Sequence, residues 1–234
     1  APQSGPPIVR LADIRLAWSE GEGCVVASWE IEPAALRDCI VQLPAESGLV
    51  RASVGDVPVA PRPLSAGKWR LPLGPRHLPQ RVEVVYRTNA VDQSAKISTR
   101  TFPAPVLMMT DPDGTHLREI SVERTLWTIR GPRSVGAGQA DILDHAVTPF
   151  RQSTERLQAT ATAMKVPVDS GADYSPTDLA AWYLPWVRHL IGNQATLVRQ
   201  AAAEGAPAEE KARVDQLERD QLALAARLGA TGIR

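Results

Sequence analysis

Chemistry in an unfamiliar sequence is sought first among its thiols, imidazoles and carboxylates. The chain carries two cysteines, Cys24 and Cys39, and four histidines, His77, His116, His145 and His189. Strand alternation places Cys24 on an outer face and Cys39 on an inner one. If their strands form a hairpin across residues 32–37, Cys24 sits at its far end and Cys39 near its turn. A disulfide needs Cα atoms within ~7 Å, so bonding is expected only if the two strands belong to different sheets. No histidine lies in a context that would activate either thiol, and both are read as structural.

Asp111-Pro-Asp-Gly114 begins like a calcium loop, in which spaced carboxylates and a glycine turn surround a hard cation. The further oxygen ligand before the glycine and the glutamate at position 12 are missing, with Val122 at the latter place. A hairpin turn is expected instead, glycine supplying the positive φ. Asp141, Asp144, His145 and His189 form the acid and histidine group expected on helices. Asp141 and His145 are four apart and share a face, yet they flank an apolar seam and are read as solvated surface, not metal ligands. Glu20 and Glu22 bracket a turn, and Glu30 and Glu32 close a strand, so nothing sets such pairs across a cleft. No G-x-S-x-G, S-x-x-K, H-E-x-x-H, Walker or dinucleotide pattern is present. A non-enzymatic chain without cofactor or metal is expected.

Charge gives the sharpest signal. The 234 residues hold 26 bases and 26 acids, a balance unlike the uncompensated Lys and Arg of a nucleic-acid binder. Within it, residues 13–56 carry eight acids and three arginines, while residues 62–100 carry eight bases and two acids. Lys68 and Arg70 alternate with Trp69 and Leu71, and Arg81 and Arg87 alternate around Val82, Val84 and Tyr86. If those strands are neighbours, Lys68, Arg70, Arg81 and Arg87 make one outward basic face, relieved by Glu83. Such a face either pairs with acids of the first half or docks an anionic polymer, surface or acidic partner.

The elements that must position these residues change character near residue 135. Period-two segments recur before it, broken by Gly, Pro and Asp turns, as in an antiparallel β domain. They include Ile8–Trp18, Cys24–Ile31, Leu49–Val54, Val57–Ala60 and the rows Trp69-Leu71-Leu73 and Val82-Val84-Tyr86. Trp18, Trp29 and Trp69 fall on the core side, which counts against a sugar-binding platform. Val106–Thr110, Thr115–Ile120 and Arg124–Arg130 add a hairpin and a strand. After Gly138 the period is helical. Leu143, Val147, Phe150, Thr154, Leu157, Ala161 and Met164 make a heptad seam, with a kink or helix end expected at Pro149. Ser175-Pro-Thr-Asp178 is a helix start, and Val214, Leu217, Gln221, Leu224 and Leu228 form a last seam that could pair with another chain.

The phrases Trp69-Arg-Leu-Pro-Leu73, Leu78-Pro-Gln-Arg-Val-Glu-Val-Val-Tyr86 and Val122-Glu-Arg-Thr-Leu-Trp-Thr-Ile129 resemble segments of large bacterial envelope proteins. Those are built from β-sandwich modules with helical insertions, and the resemblance implies an extracytoplasmic fragment of a longer protein. It carries over no active-site residue. Ala1 in place of methionine and the proline-rich opening suit a processed or excised chain.

The expected fold is therefore α+β by segregation. Residues 1–7 are a flexible linker, 8–103 an antiparallel Ig-like β-sandwich and 104–133 an additional β-hairpin and strand. Residues 139–234 are a helical hairpin or three-helix coiled-coil segment. The expected function is a structural and interaction module of an envelope protein, partnering a protein or itself through the helices. The alternative is a module that binds an anionic polymer or carbohydrate through the basic face. Neither a nucleic-acid partner nor a membrane span is expected, since no run approaches ~18–20 apolar residues.

Overall fold

The computed structural model describes residues 5–19, 22–75, 78–89, 91–92, 100–111, 113–131, 149–169, 177, 200, 203–205 and 207–230. The chain divides into a β unit, Pro6–Arg76 with Gln80–Gly138, and a second unit, Ala1–Gly5, His77–Pro79 and Gln139–Arg234.

The strands run in chain order as β1 (Ile8–Ser19), β2 (Glu22–Glu32), β3 (Asp38–Gln42), β4 (Gly48–Val54), β5 (Val57–Pro58), β6 (Arg62–Ser65) and β7 (Lys68–Pro72). There follow β8 (Gln80–Asn89), β9 (Val91–Asp92), β10 (Arg100–Thr101), β11 (Val106–Thr110), β12 (Leu117–Glu119), β13 (Ser121–Val122) and β14 (Thr125–Arg130). A seven-stranded sheet has the order β13-β1-β2-β8-β4-β5, with β14 also on β1. A five-stranded sheet has the order β12-β11-β3-β7-β6, and β9 and β10 make a small ribbon.

Alternation in the sequence sets the inner face of the larger sheet. Ile14 stands opposite Ala27, which stands opposite Val84, which stands opposite Ala52. The next rows are Ala12, Trp29, Val82 and Val54, and Leu16, Val25 and Tyr86. All are buried. The smaller sheet supplies Cys39, Val41, Leu71, Leu107 and Met109, also buried. Fully burying one such large side chain is worth about 1.5–3 kcal/mol, so these rows dominate the stability of the unit. The prolines sit where a missing N–H costs least, with Pro58 closing edge strand β5, Pro63 on edge strand β6 and Pro72 closing β7. Gly55 and Asp56 both take positive φ, 56° and 64°, in the tight turn between β4 and β5.

The expected fold needs correction in two respects. The larger sheet is mixed, because β1 pairs antiparallel with β2 but parallel with β13 and β14. The segment after residue 104 thus splits, its hairpin joining one sheet and its last strands the other. Strand period reveals a strand's faces but not its distant neighbour, so this pairing left no trace in the alternation.

The second correction concerns the helices. Among the described residues the chain is mostly β, two helices have defined bounds, and no helical hairpin or three-helix coiled coil is seen. Helix α1 spans Pro149–Asp169 and helix α2 spans Ala208–Ala230, with residues 170–207 between them. On α1 the seam residues Phe150, Thr154, Leu157 and Ala161 are buried, but so are Glu155, Thr160 and Ala163. That stripe is broader than the two positions per heptad of a coiled coil and is the face of an ordinary packed helix. The expected start at Ser175 and the seam positions Leu143 and Val147 lie outside the described residues.

In the described residues α1 begins at Pro149, where proline fixes φ and lacks only an N–H that a first turn does not use, and the segment expected to lead into it lies outside them. The next free donor, the Phe150 N–H, is capped by the Glu204 carboxylate at 3.0 and 3.3 Å. Lys165 Nζ donates to Asp220 at 2.7 Å, and Arg213 donates to Glu155 at 3.2 Å and Gln158 at 2.6 Å, tying α2 to α1. Among the described residues no helix is long and apolar enough to cross a membrane.

Candidate functional site

Part of the opposed charge of the first hundred residues meets on the outward face of the larger sheet. Registry decides which. Glu30 on β2 stands directly opposite Arg81 on β8, and Asp13 on β1 opposite Ser28, which stands opposite Glu83. The Arg81 Nε–H donates to Glu30 Oε1 at 2.7 Å, and its Nη2 lies 2.6 Å from the same oxygen. Arg10 grips Glu32 with two donors, Nε at 2.7 Å and Nη2 at 3.1 Å, and donates its third to Glu123. Arg15 lies 3.4 Å from Asp13 and 3.9 Å from Glu83, whose other oxygen is held by Arg51 at 3.0 Å.

Four polar residues of this outward face, Asp13, Ser28, Glu30 and Glu32, are buried. A buried carboxylate favours its neutral form unless donors offset the lost hydration. For Glu30, burial outweighs the pull of Arg81 and pushes the carboxyl above its ordinary value. Its Oε2 is buried without a hydrogen-bond partner.

The four residues of the expected basic face are not brought together. Strand β7 pairs with β3 and β6, while β8 pairs with β2 and β4, so Lys68 and Arg70 lie on one sheet and Arg81 and Arg87 on the other. Arg81 is committed to Glu30. Arg87 is exposed, in register with Cys24 and Gly48. Arg70 is 3.8 Å from Asp38, and Lys68 is half-buried. Opposite Arg70 stands Arg62 of β6, a residue the sequence pattern did not single out.

The other sequence candidates are simpler. Cys24 is exposed and Cys39 buried, as alternation required, and both are free although their strands occupy different sheets. Burial pushes the Cys39 thiol up, away from a reactive thiolate. Asp111–Gly114 is a turn between β11 and β12, Gly114 having φ 76° and donating to Asp111 O at 2.8 Å. Asp113 is occupied by Thr115, whose hydroxyl and N–H hold its carboxyl below the ordinary range. Trp29 is buried as expected, whereas Trp18 and Trp69 are half-buried, Trp69 standing beside the edge strand. No group of three or more metal-ligating side chains occurs among the described residues. Glu20, His77, Asp141, Asp144, His145 and His189 lie outside them.

No family model matches this chain. No curated protein matches it either. Solved structures resemble part of it. An M1 zinc metallopeptidase from Deinococcus radiodurans is 16% identical over 54% of this chain and 32% of its own, with a TM-score of 0.34. Legionella pneumophila aminopeptidase A is 12% identical over 47% and 13%, with a TM-score of 0.34. Leukotriene A4 hydrolase from Saccharomyces cerevisiae is 9% identical over 54% and 24%, with a TM-score of 0.36. These neighbours are peptidases and a hydrolase, but likeness at that level carries no argument about activity here.

Proposed function

We propose that the chain is a non-enzymatic structural and interaction module of a larger bacterial envelope protein, held outside the cytoplasm. One observation supports this above the rest. On the larger sheet, Arg10, Arg15, Arg51 and Arg81 are each matched to a carboxylate of their own or a neighbouring strand. Those charges serve strand register and stiffness, leaving few for a ligand. The edge strands β5 and β6 are short and carry proline, which discourages open-ended strand addition and suits a module strung between others.

The test is a replacement in the bacterium that encodes the protein. Residues 6–131 are exchanged for an unrelated β-sandwich of similar span, and the product is followed by fractionation and by envelope resistance to detergent. A spacer predicts recovery in the envelope fraction and unchanged resistance. Recovery of the natural protein in the cytosol, or loss of resistance at normal protein level, overturns the proposal.

A further inference from the structure

The smaller sheet differs from the larger in one respect: its outward bases oppose each other. Arg62 and Arg70 are direct partners in the β6–β7 ladder. Directly opposed residues share a face with Cα atoms about 4.5–5.5 Å apart, and like charges so placed repel. Lys68, two residues before Arg70, projects to the same side. Asp38 on β3 is the one carboxylate ion-paired with these three among the described residues, 3.8 Å from Arg70 Nε. That distance is beyond a hydrogen bond, and the Arg70 Nε–H is buried with no acceptor. Three bases against one acid leave a local charge of +2 at the open edge of the sheet.

We infer that Arg62, Lys68 and Arg70 form a binding site for a phosphate group. Guanidinium forks are matched to the oxygens of phosphate, and a dianion neutralises the residual +2 where a monocarboxylate leaves half of it. The Arg70 side chain is 41% exposed, so its outer guanidinium nitrogens, not the buried Nε, are the donors open to a phosphate oxygen. The site goes beyond the spacer function and stands independently of it. It also revises the basic face expected from sequence, keeping Lys68 and Arg70, adding Arg62 and omitting Arg81 and Arg87.

The experiment is an NMR titration of the full chain with inorganic phosphate at constant ionic strength, chloride serving as the reference anion. Saturable shifts centred on Arg62, Lys68 and Arg70 are expected, with Arg62→Gln and Arg70→Gln each weakening binding about tenfold, or about 1.4 kcal/mol. Arg87→Gln should leave binding unchanged, and an otherwise unaltered spectrum confirms that each variant is folded. A parallel titration with linear polyphosphate distinguishes the source. Tighter binding per phosphate identifies a polymer, and equal binding identifies the free ion. Absence of saturable shifts at the three residues, or equal shifts in wild type and the Arg62→Gln/Arg70→Gln variant, overturns the site.

Discussion

Glu30 Oε1 accepts a hydrogen bond from Arg81 Nε at 2.7 Å and lies 2.6 Å from Arg81 Nη2, while Glu30 Oε2 receives none. The pair joins β2 to β8 in the middle of the larger sheet, with Trp29 and Val82 buried on the opposite side of the same strands. Ion pairs taken from water often gain little net stability, but losing one partner leaves a buried charge uncompensated. The pair therefore fixes which strands meet more than it adds to the total.

Arg10 holds two strands to β1 at once, through Glu32 at the end of β2 and Glu123 beside β13. Arg10→Met should cost about 1.5–3 kcal/mol in urea unfolding. Hydrogen exchange should quicken most at Ser121 and Val122, whose parallel pairing with β1 is short. Uniform quickening across the sheet would argue against a local clasp.

Gly131 follows β14 where the indole of Trp18 lies against the backbone. A Cβ added there would stand 2.6 Å from Trp18 Cε2, closer than carbon atoms tolerate. Trp18 also meets Phe102, with ring centroids 6.0 Å apart. Gly131→Ala is expected to cost about 1–3 kcal/mol through overpacking. Denaturant unfolding measures the loss, and Trp18→Ala in the same background should restore part of it.

Arg62→Gln should do the reverse. Removing one of two directly opposed charges is expected to stabilise the β6–β7 pair by about 0.2–1 kcal/mol in phosphate-free buffer. Thermal unfolding in chloride reads the gain, which should shrink when phosphate is added.

Asp220 tests the contact between the helices. The hydrogen bond from Lys165, aided by Gln216 and Arg219, holds its carboxyl below the ordinary value. A depressed carboxylate contributes stability that is full above its unfolded pKa and lost as pH falls through its folded one. The contact should therefore weaken below about pH 4. Carboxyl NMR should show Asp220 titrating low in the wild type and moving up in Lys165→Met.

Much of the β unit was legible because a half-buried strand writes its faces into the sequence. Ile8–Trp18 became β1 and Cys24–Ile31 the heart of β2, within a residue or two. The neighbours of each strand were not legible. Lys68, Arg70, Arg81 and Arg87 follow one alternating pattern, yet long-range pairing put them in two sheets, and local pattern holds no record of that choice. Arg62 was missed for a different reason, its strand being four residues long and broken by Pro63. On the helices, Phe150, Thr154, Leu157 and Ala161 gave the buried side correctly. Their spacing alone could not separate a coiled-coil seam from the centre of a wider face.

The central claim is that the opposed charges of the larger sheet are spent on each other. A double-mutant cycle on Glu30→Ala and Arg81→Ala, read by urea unfolding of the full chain, tests it most directly. Each single change should cost about 3–5 kcal/mol, and the double change should cost less than their sum, with a coupling of about 1–3 kcal/mol. Additive losses, or an Arg81→Ala variant as stable as the wild type, would show that this arginine is not engaged by Glu30 and would contradict the account.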